Sequence, residues 1–266
     1  MKCRNYGHRG FSAVYPENTM LAFEKALEAG CEGMEFDVHL TADQELVIIH
    51  DESIVRTSGK EGLVKDMTLA QLRQVDFSYK WARQIPFQPI PTLRDYFELV
   101  KDRDIMNNIE LKTGVYEYPG IEAAVWALIR EYHMEDRVII SSFNHHSVLR
   151  MKALAPHLPC GFLSETWILD VGNYVASHGV EAYHPQFHML TDAETAGLKA
   201  HGVAIITCAS YLLIPMSIYN RCLQSRILPA CHDNSFPGHN IHRNHRYRCC
   251  VPEAGPSISG LFRTST

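Results

Sequence analysis

Gly7-His8-Arg9-Gly10, closed by Pro16-Glu17-Asn18-Thr19, stands between a short strand-like run at residues 4–7 and the start of a helix. Glycine on both sides permits positive φ and a close approach of backbone to a ligand. Arginine offers a planar fork of donors that matches phosphate oxygens. A histidine beside it carries a proton near neutral pH. Asn18 is read as the N-cap of a helix over 19–29, in which Met20, Phe23 and Leu27 recur at helical spacing and Gly30 is the stop. Alone, such a turn is usually a plain surface turn. Its weight comes from the order in which the rest of the chain follows.

The strand–helix unit repeats. Gly33-Met34-Glu35-Phe36-Asp37-Val38 reads as a second strand, and residues 46–49 as a hairpin-like return ending at His50-Asp51. Residues 52–91 break the rhythm with turn signals at Ser58-Gly59 and Glu61-Gly62, a short helix opened by Thr68, and an exit through Pro86, Pro89 and Pro91. They are expected to form a small insertion, with Trp81 in the insertion's own core. Thr92 is expected to cap a helix to about Lys101. Strands at 105–112, 138–141, 160–163, 181–184 and 203–207 then alternate with helices at 118–132, 144–155 and 170–178 and a last one opened by Thr191. This alternation argues for parallel βα units. With 266 residues, it predicts an α/β chain folded as a TIM (β/α)8 barrel, a fold of about 250 residues. The barrel spans 1–207, has its insertion after strand two, and its eighth strand is not recognisable in the sequence.

Composition narrows the function classes. Apolar residues make up 46% and charged ones 21%, as in soluble globular proteins. A formal charge of −5 and the absence of a basic stripe in the first 200 residues argue against a nucleic-acid partner. The apolar run at 202–219 is short and holds Pro215, so no stable membrane insertion is expected. Met1-Lys2-Cys3-Arg4-Asn5 does not read as a secretory signal, and eight cysteines without a CxxC pair suit a reducing compartment. A cytoplasmic location is therefore expected. The sequence is silent on oligomeric state.

Polar residues fall in telling places. Glu35 and Asp37, two apart on a strand, share one face, where a barrel interior is normally Val, Ile or Leu. Two such charges 4 Å apart repel by about 1 kcal/mol in water and about 4 kcal/mol at an effective dielectric of 20. Glu110 and Lys112 repeat the pattern at the end of the third strand, and His50 follows the apolar return. With His8 and Arg9, these groups gather at strand ends, where barrel enzymes keep their chemistry. The bland alternatives are rim salt bridges for Glu35 and Asp37 and a surface ion pair for Glu110 and Lys112. Three carboxylates and no cysteine favour a hard divalent cation, Mg²⁺ or Ca²⁺, over zinc. Such a set suits a phosphodiester: a cation, Arg9 and Lys112 hold the nonbridging oxygens, one histidine activates the attacking hydroxyl and another protonates the departing oxygen. Each proton transfer is worth roughly 10² to 10⁴ in rate. His145-His146 are expected at a capping loop, and His184-Pro185 at the rim of the sixth strand.

Gly-His-Arg-Gly with Pro-Glu-Asn-Thr, then Glu35-Phe36-Asp37-Val38, His50-Asp51 and Ile109-Glu110-Leu111-Lys112, resemble the glycerophosphodiester phosphodiesterase family. Arg56-Thr57-Ser58-Gly59 through Thr68-Leu69 to Ile90-Pro91-Thr92-Leu93 resemble that family's insertion. The resemblance runs from about Tyr6 to about Ile205. It implies a metal-dependent hydrolase that converts a small-molecule glycerophosphodiester substrate to glycerol 3-phosphate and an alcohol. It implies Glu35, Asp37 and Glu110 as metal ligands, His8 and His50 as the acid–base pair, and Arg9 and Lys112 as phosphate contacts. Glu17 and Asn18 match the motif and are read as loop and cap support. A lyase that releases a cyclic phosphate would use the same groups.

After Val203-Ala204-Ile205 the pattern departs from the family. Past Cys208 there is no lysine, Asp233 and Glu253 are the only acids, and Cys222, Cys231, Cys249 and Cys250 appear with a knot of His and Arg between His239 and Arg248. Residues 208–266 are read as a divergent tail with the composition of a shifted reading frame. The alternative is a tail packed on the barrel. The first reading predicts poor order after about Leu213, poor solubility and a catalytically impaired protein.

Overall fold

A computed structural model gives the fold, and the residues it describes are 6–209 and 230–231. One sheet holds β1 (Tyr6–His8), β2 (Gly33–Leu40), β3 (Leu46–Ile48), β4 (Met106–Leu111), β5 (Val138–Ser142), β6 (Cys160–Ser164), β7 (Ala182–Pro185) and β8 (Ala204–Ile205). Its order is β1-β2-β4-β5-β6-β7-β8, every neighbour parallel, and β3 pairs antiparallel with the far end of β2. The helices are α1 (Met20–Glu28), the short α2 (Val55–Ser58) and α3 (Leu69–Leu72), α4 (Leu93–Val100), α5 (Ile121–Glu131), α6 (His145–Leu154), α7 (Val171–Ser177) and α8 (Asp192–Ala200). The expected α/β TIM barrel is the observed class. Among the described residues β1 and β8 each have one neighbour in the sheet. β9 (Cys208–Ala209) and β10 (Ala230–Cys231) pair parallel in a separate two-stranded sheet. The expectations for 210–229 and 232–266, poor order among them, lie outside the described residues.

Strand periodicity separates the two faces of the sheet. Met34, Phe36, Val38, Ile109, Leu111, Val138, Ile140, Phe162, Tyr183 and Ile205 belong to the main core, packed under helices that include Phe23, Phe97, Val125, Val148 and Leu198. The alternate residues line the concave face. At its base Tyr6, Met106, Ile139, Ala182 and Ile206 form a small apolar cluster. Above it the same face carries Glu35, Asp37, Asn108, Glu110, Ser141 and His184, all buried.

Local chemistry sets most helix starts. Thr68, Thr92 and Thr191 open their helices as read from the sequence, and each closes a capping box, with Gln71, Asp95 and Glu194. Asn144 caps α6 through its side chain. The fifth helix begins three residues later than expected, at Ile121, because Tyr118 and Gly120 both take positive φ. Asn18 is a correction. It stands at φ 55, and Thr19 is the cap that accepts from Ala22 N–H. Residues 52–91 contribute α2, α3 and two 3₁₀ turns. Val47, Ile49, Ile54, Val64, Leu72, Phe77 and Ile90 form the cluster beneath them, packed with Met67, Leu69 and Val75. Trp81, expected in that core, lies outside it.

Candidate active site

The register brings the candidate residues together. His8 stands opposite Glu35, Glu35 opposite Asn108, and Asp37 opposite Glu110, all toward the carboxyl ends of β1, β2 and β4. One oxygen from each of Glu35, Asp37 and Glu110 lies within 4.8 Å of the others. Burial and the neighbouring Asp37 and Glu110 carboxylates push Glu35 well above the usual carboxylate range, against the pull of Arg9. Glu110 is raised for the same two reasons, burial and Asp37, with Lys112 pulling it back. Burial would raise Asp37 too, but Arg9, His50 and Lys112, with a hydrogen bond from Asn18, hold it below the ordinary range.

Cations and donors surround the three acids. Arg9 Nε is 3.4 Å from Asp37 Oδ2, and the Arg9 backbone N–H donates to Glu35 Oε2 at 3.2 Å. Lys112 Nζ donates to Glu110 Oε1 at 2.7 Å and lies 3.8 Å from Asp37 Oδ1. Asn18 Nδ2 donates to Asp37 Oδ2 at 2.9 Å. His8 Nε2 is 3.5 Å from Glu35 Oε2. Burial opposes the charge of Lys112, yet Glu110 and Asp37 outweigh it and raise the ammonium. Asp37 Oδ1 and Asn18 Oδ1 are buried without a hydrogen-bond partner among the described residues. Close-set, partly unsatisfied hard oxygen donors form a set that a divalent cation satisfies, and they fit that group.

His50 reaches the cluster from the end of β3. Its Nδ1 is 2.5 Å from Asp51 Oδ1, and a carboxylate oxygen accepts, so Nδ1 carries the proton. Nε2 then turns its lone pair to Lys112 Nζ at 3.3 Å. His39, buried on the same face of β2, supports this arrangement. Its Nε2–H donates to the His50 carbonyl at 3.2 Å, which leaves Nδ1 to accept from the Tyr118 hydroxyl at 2.9 Å. Burial pushes His39 down to about 4, so it stays neutral.

A ring of ion pairs closes over the site. Glu17 Oε1 accepts from Arg9 Nη1 at 2.9 Å, and Arg56 bonds both Glu17 and Asp51. The glycines do particular work at one place. Gly10 has φ +79, and a Cβ there would lie 2.7 Å from the Ala22 carbonyl carbon. Only glycine lets the Arg9 loop rest on α1.

All seven side chains singled out in the sequence, His8, Arg9, Glu35, Asp37, His50, Glu110 and Lys112, belong to this one cluster. His39 had no part in the sequence reading, Asp51 and Arg56 entered it only as motif residues, and Glu17 and Asn18, read there as loop and cap support, bond Arg9 and Asp37. His39 was legible, because the period of two that joins Glu35 to Asp37 continues to 39. His184, placed at the rim by the sequence, is buried on the concave face over Gly161, where a Cβ would meet its Nε2 at 2.2 Å. Burial pushes it down to about 3. His145 is the first residue of α6, stacked on Phe162 at 4.1 Å and bonded to Tyr174 and the Leu163 carbonyl. No helix among the described residues is long and apolar enough to cross a membrane.

The chain is similar in sequence and fold to known proteins. A glycerophosphodiester phosphodiesterase of Caldanaerobacter subterraneus subsp. tengcongensis is 42% identical over 205 residues, 77% of this chain and 84% of that one. One of Bacillus altitudinis is 43% identical over 214 residues, 80% and 85% of the two chains. The solved structure of an Oleispira antarctica phosphodiesterase in complex with the product sn-glycerol-3-phosphate superposes with a TM-score of 0.74 at 26% identity, covering 85% of this chain and 91% of that one. The profile of the Glycerophosphoryl diester phosphodiesterase family matches residues 8–208, so the chain belongs to this family of enzymes.

Proposed function

We propose that this chain hydrolyses glycerophosphodiesters to glycerol 3-phosphate and an alcohol in the cytoplasm, with Mg²⁺ or Ca²⁺ held by Glu35, Asp37 and Glu110. The observation that carries this reading is the buried three-carboxylate cluster flanked by two histidines and two cations. The product bound to the Oleispira relative supports the choice of substrate. When bound, the cation supplies positive charge for the nonbridging phosphate oxygens and for the charge that builds up in the transition state.

The chain's own residues do the rest. Arg9 and Lys112 hold the phosphate as cationic donors. His50, its Nδ1–H fixed by Asp51, exchanges the Lys112 Nζ contact at its Nε2 lone pair for the attacking water and takes that water's proton. His8, whose Nε2 faces a carboxylate, gives a proton to the departing alkoxide. Asn18 and Arg9 keep Asp37 ionised.

The test is an assay of glycerol 3-phosphate released from glycerophosphocholine, glycerophosphoethanolamine and glycerophosphoglycerol, with and without EDTA. Chelation is expected to abolish turnover. His8→Ala and His50→Ala are each expected to lose at least about two orders of magnitude in kcat, the usual worth of proton transfer. A diester with a nitrophenolate leaving group needs no acid, so it is expected to rescue His8→Ala and not His50→Ala. Full activity in excess EDTA, or equal losses for both variants on both substrates, would overturn the reading. A cyclic phosphate that persists in the phosphorus NMR spectrum would mark a lyase instead.

A further inference from the structure

We infer that Arg56, which belongs to residues 52–91 rather than to a barrel strand, is a positioning residue that aims both the proton-transfer arm and the phosphate-binding arm of the site. The inference rests on the roles proposed above for His50 and Arg9.

Arg56 lies in α2, and its guanidinium makes four hydrogen bonds to two carboxylates. Nε donates to Asp51 Oδ2 at 2.5 Å and Nη2 to Asp51 Oδ1 at 3.1 Å. Nη1 donates to Glu17 Oε2 at 2.7 Å and Nη2 to Glu17 Oε1 at 2.8 Å. Each carboxylate is shared with a residue of the site. Asp51 Oδ1 also accepts from His50 Nδ1 at 2.5 Å, which fixes the ring's tautomer. Glu17 Oε1 also accepts from Arg9 Nη1 at 2.9 Å. Nη2 alone is bonded to both. Glu17 comes from the loop after β1 and Asp51 from the end of β3, so Arg56 ties two loops 34 residues apart in sequence (17 to 51) into one frame.

The geometry requires arginine. A guanidinium presents its donors in a fixed planar fork, so one side chain serves two carboxylates bidentately. A lysine ammonium is a point charge on a flexible stem and serves one. Burial raises Glu17, but Arg56 and Arg9 together draw it below the ordinary carboxylate range, and Asp51 is held low in the same way by His50 and Arg56. Both therefore stay ionised as acceptors.

The test is a set of double-mutant cycles on the full chain. Arg56→Gln is expected to lower kcat by about tenfold to a hundredfold, part of the roughly 10² to 10⁴ that a proton transfer is worth, and to raise KM severalfold. In an Asp51→Asn background the kcat loss is expected to vanish, and in a Glu17→Gln background the KM rise. Arg56→Lys is expected to restore one effect and not both. Ring ¹⁵N spectra of His50, which need no turnover, are expected to show the Nδ1–H form in the parent chain and a mixture of tautomers in Arg56→Gln. Losses that simply add to those of Asp51→Asn and Glu17→Gln would overturn the inference, because they mark general destabilisation. So would parent-like kinetics and ring shifts in Arg56→Gln while His50→Ala is inactive, which leaves the proposed reaction standing. An active His50→Ala would overturn the proposed reaction instead, and the ring spectra would still decide the clamp.

Discussion

Replacing Glu35 by Gln is expected to stabilise the cation-free protein while destroying its response to divalent ions. One oxygen of Glu35 lies within 4.8 Å of its counterparts on Asp37 and Glu110. At that separation two unit charges repel by about 3 kcal/mol at an effective dielectric of about 20. Glu35 faces two such neighbours, partly offset by Arg9. A net relief of about 1–2 kcal/mol is therefore expected, or a rise in Tm of a few degrees, since about 1 kcal/mol moves a domain of this size by roughly 2–4 °C. Gln keeps a carbonyl oxygen to accept from the Arg9 N–H, so the loop is not disturbed. The pH dependence has a definite sign. The folded-state pKa of Glu35 lies above its unfolded value, so the unfolded chain ionises first as pH rises, and the parent loses stability from about the ordinary carboxylate pKa upward. The advantage of Glu35→Gln is thus absent in acid and present at neutral pH. Calorimetry in EDTA and in Ca²⁺ or Mg²⁺ reads both effects. A ligand at 100 times its Kd stabilises by about 2.7 kcal/mol, which the parent is expected to gain and Glu35→Gln to lack. Destabilisation of Glu35→Gln in EDTA, or a cation-induced shift equal to the parent's, would refute the reasoning.

Three further outcomes follow from the same geometry. Asn18→Ala removes the donor at 2.9 Å from Asp37 and should cost about 1–3 kcal/mol in urea unfolding, while Asn18→Gly, which tolerates φ 55, separates backbone strain from the lost bond. His39→Phe should flatten acid unfolding: the depressed folded pKa, about 4, means the parent loses stability as pH falls from about 6.5 toward 4, by about 3 kcal/mol at 1.36 kcal/mol per unit. An equally steep acid limb in His39→Phe would contradict this. Gly10→Ala forces a Cβ against Ala22 at positive φ and should cost about 1–3 kcal/mol of strain together with activity, read by thermal unfolding and turnover in parallel.

What the sequence made legible was what short-range chemistry decides. Period-two alternation put Glu35 beside Asp37 and Glu110 beside Lys112 on one face, and Thr68, Thr92 and Thr191 announced their helices. Asn18 and Thr19 are both good caps, and local propensity does not choose between them. The choice comes from Asp37, a residue on β2 that draws the Asn18 amide inward and leaves the cap to Thr19. Arg56 was visible only as part of a motif, because its partners, Glu17 and Asp51, meet through the fold. His184 does stand near the carboxyl end of its strand, but a strand-end position alone does not say that its ring is buried where Gly161 leaves room for it.

Every side chain of the proposed site lies between residues 8 and 112, while among the described residues the later strands and their loops lend it walls and rim. Val115, Phe143, Trp167 and Leu169, exposed apolar residues on the loops that follow β4, β5 and β6, belong to that second part. This division has a consequence for substitutions. On the proposed reading the first part is bound by mutual dependence, since moving any one charge strands another. Substitutions in the second part break none of these ion pairs, so on the proposed reading they are expected to alter which alcohol is accepted before they alter how the phosphate is cut.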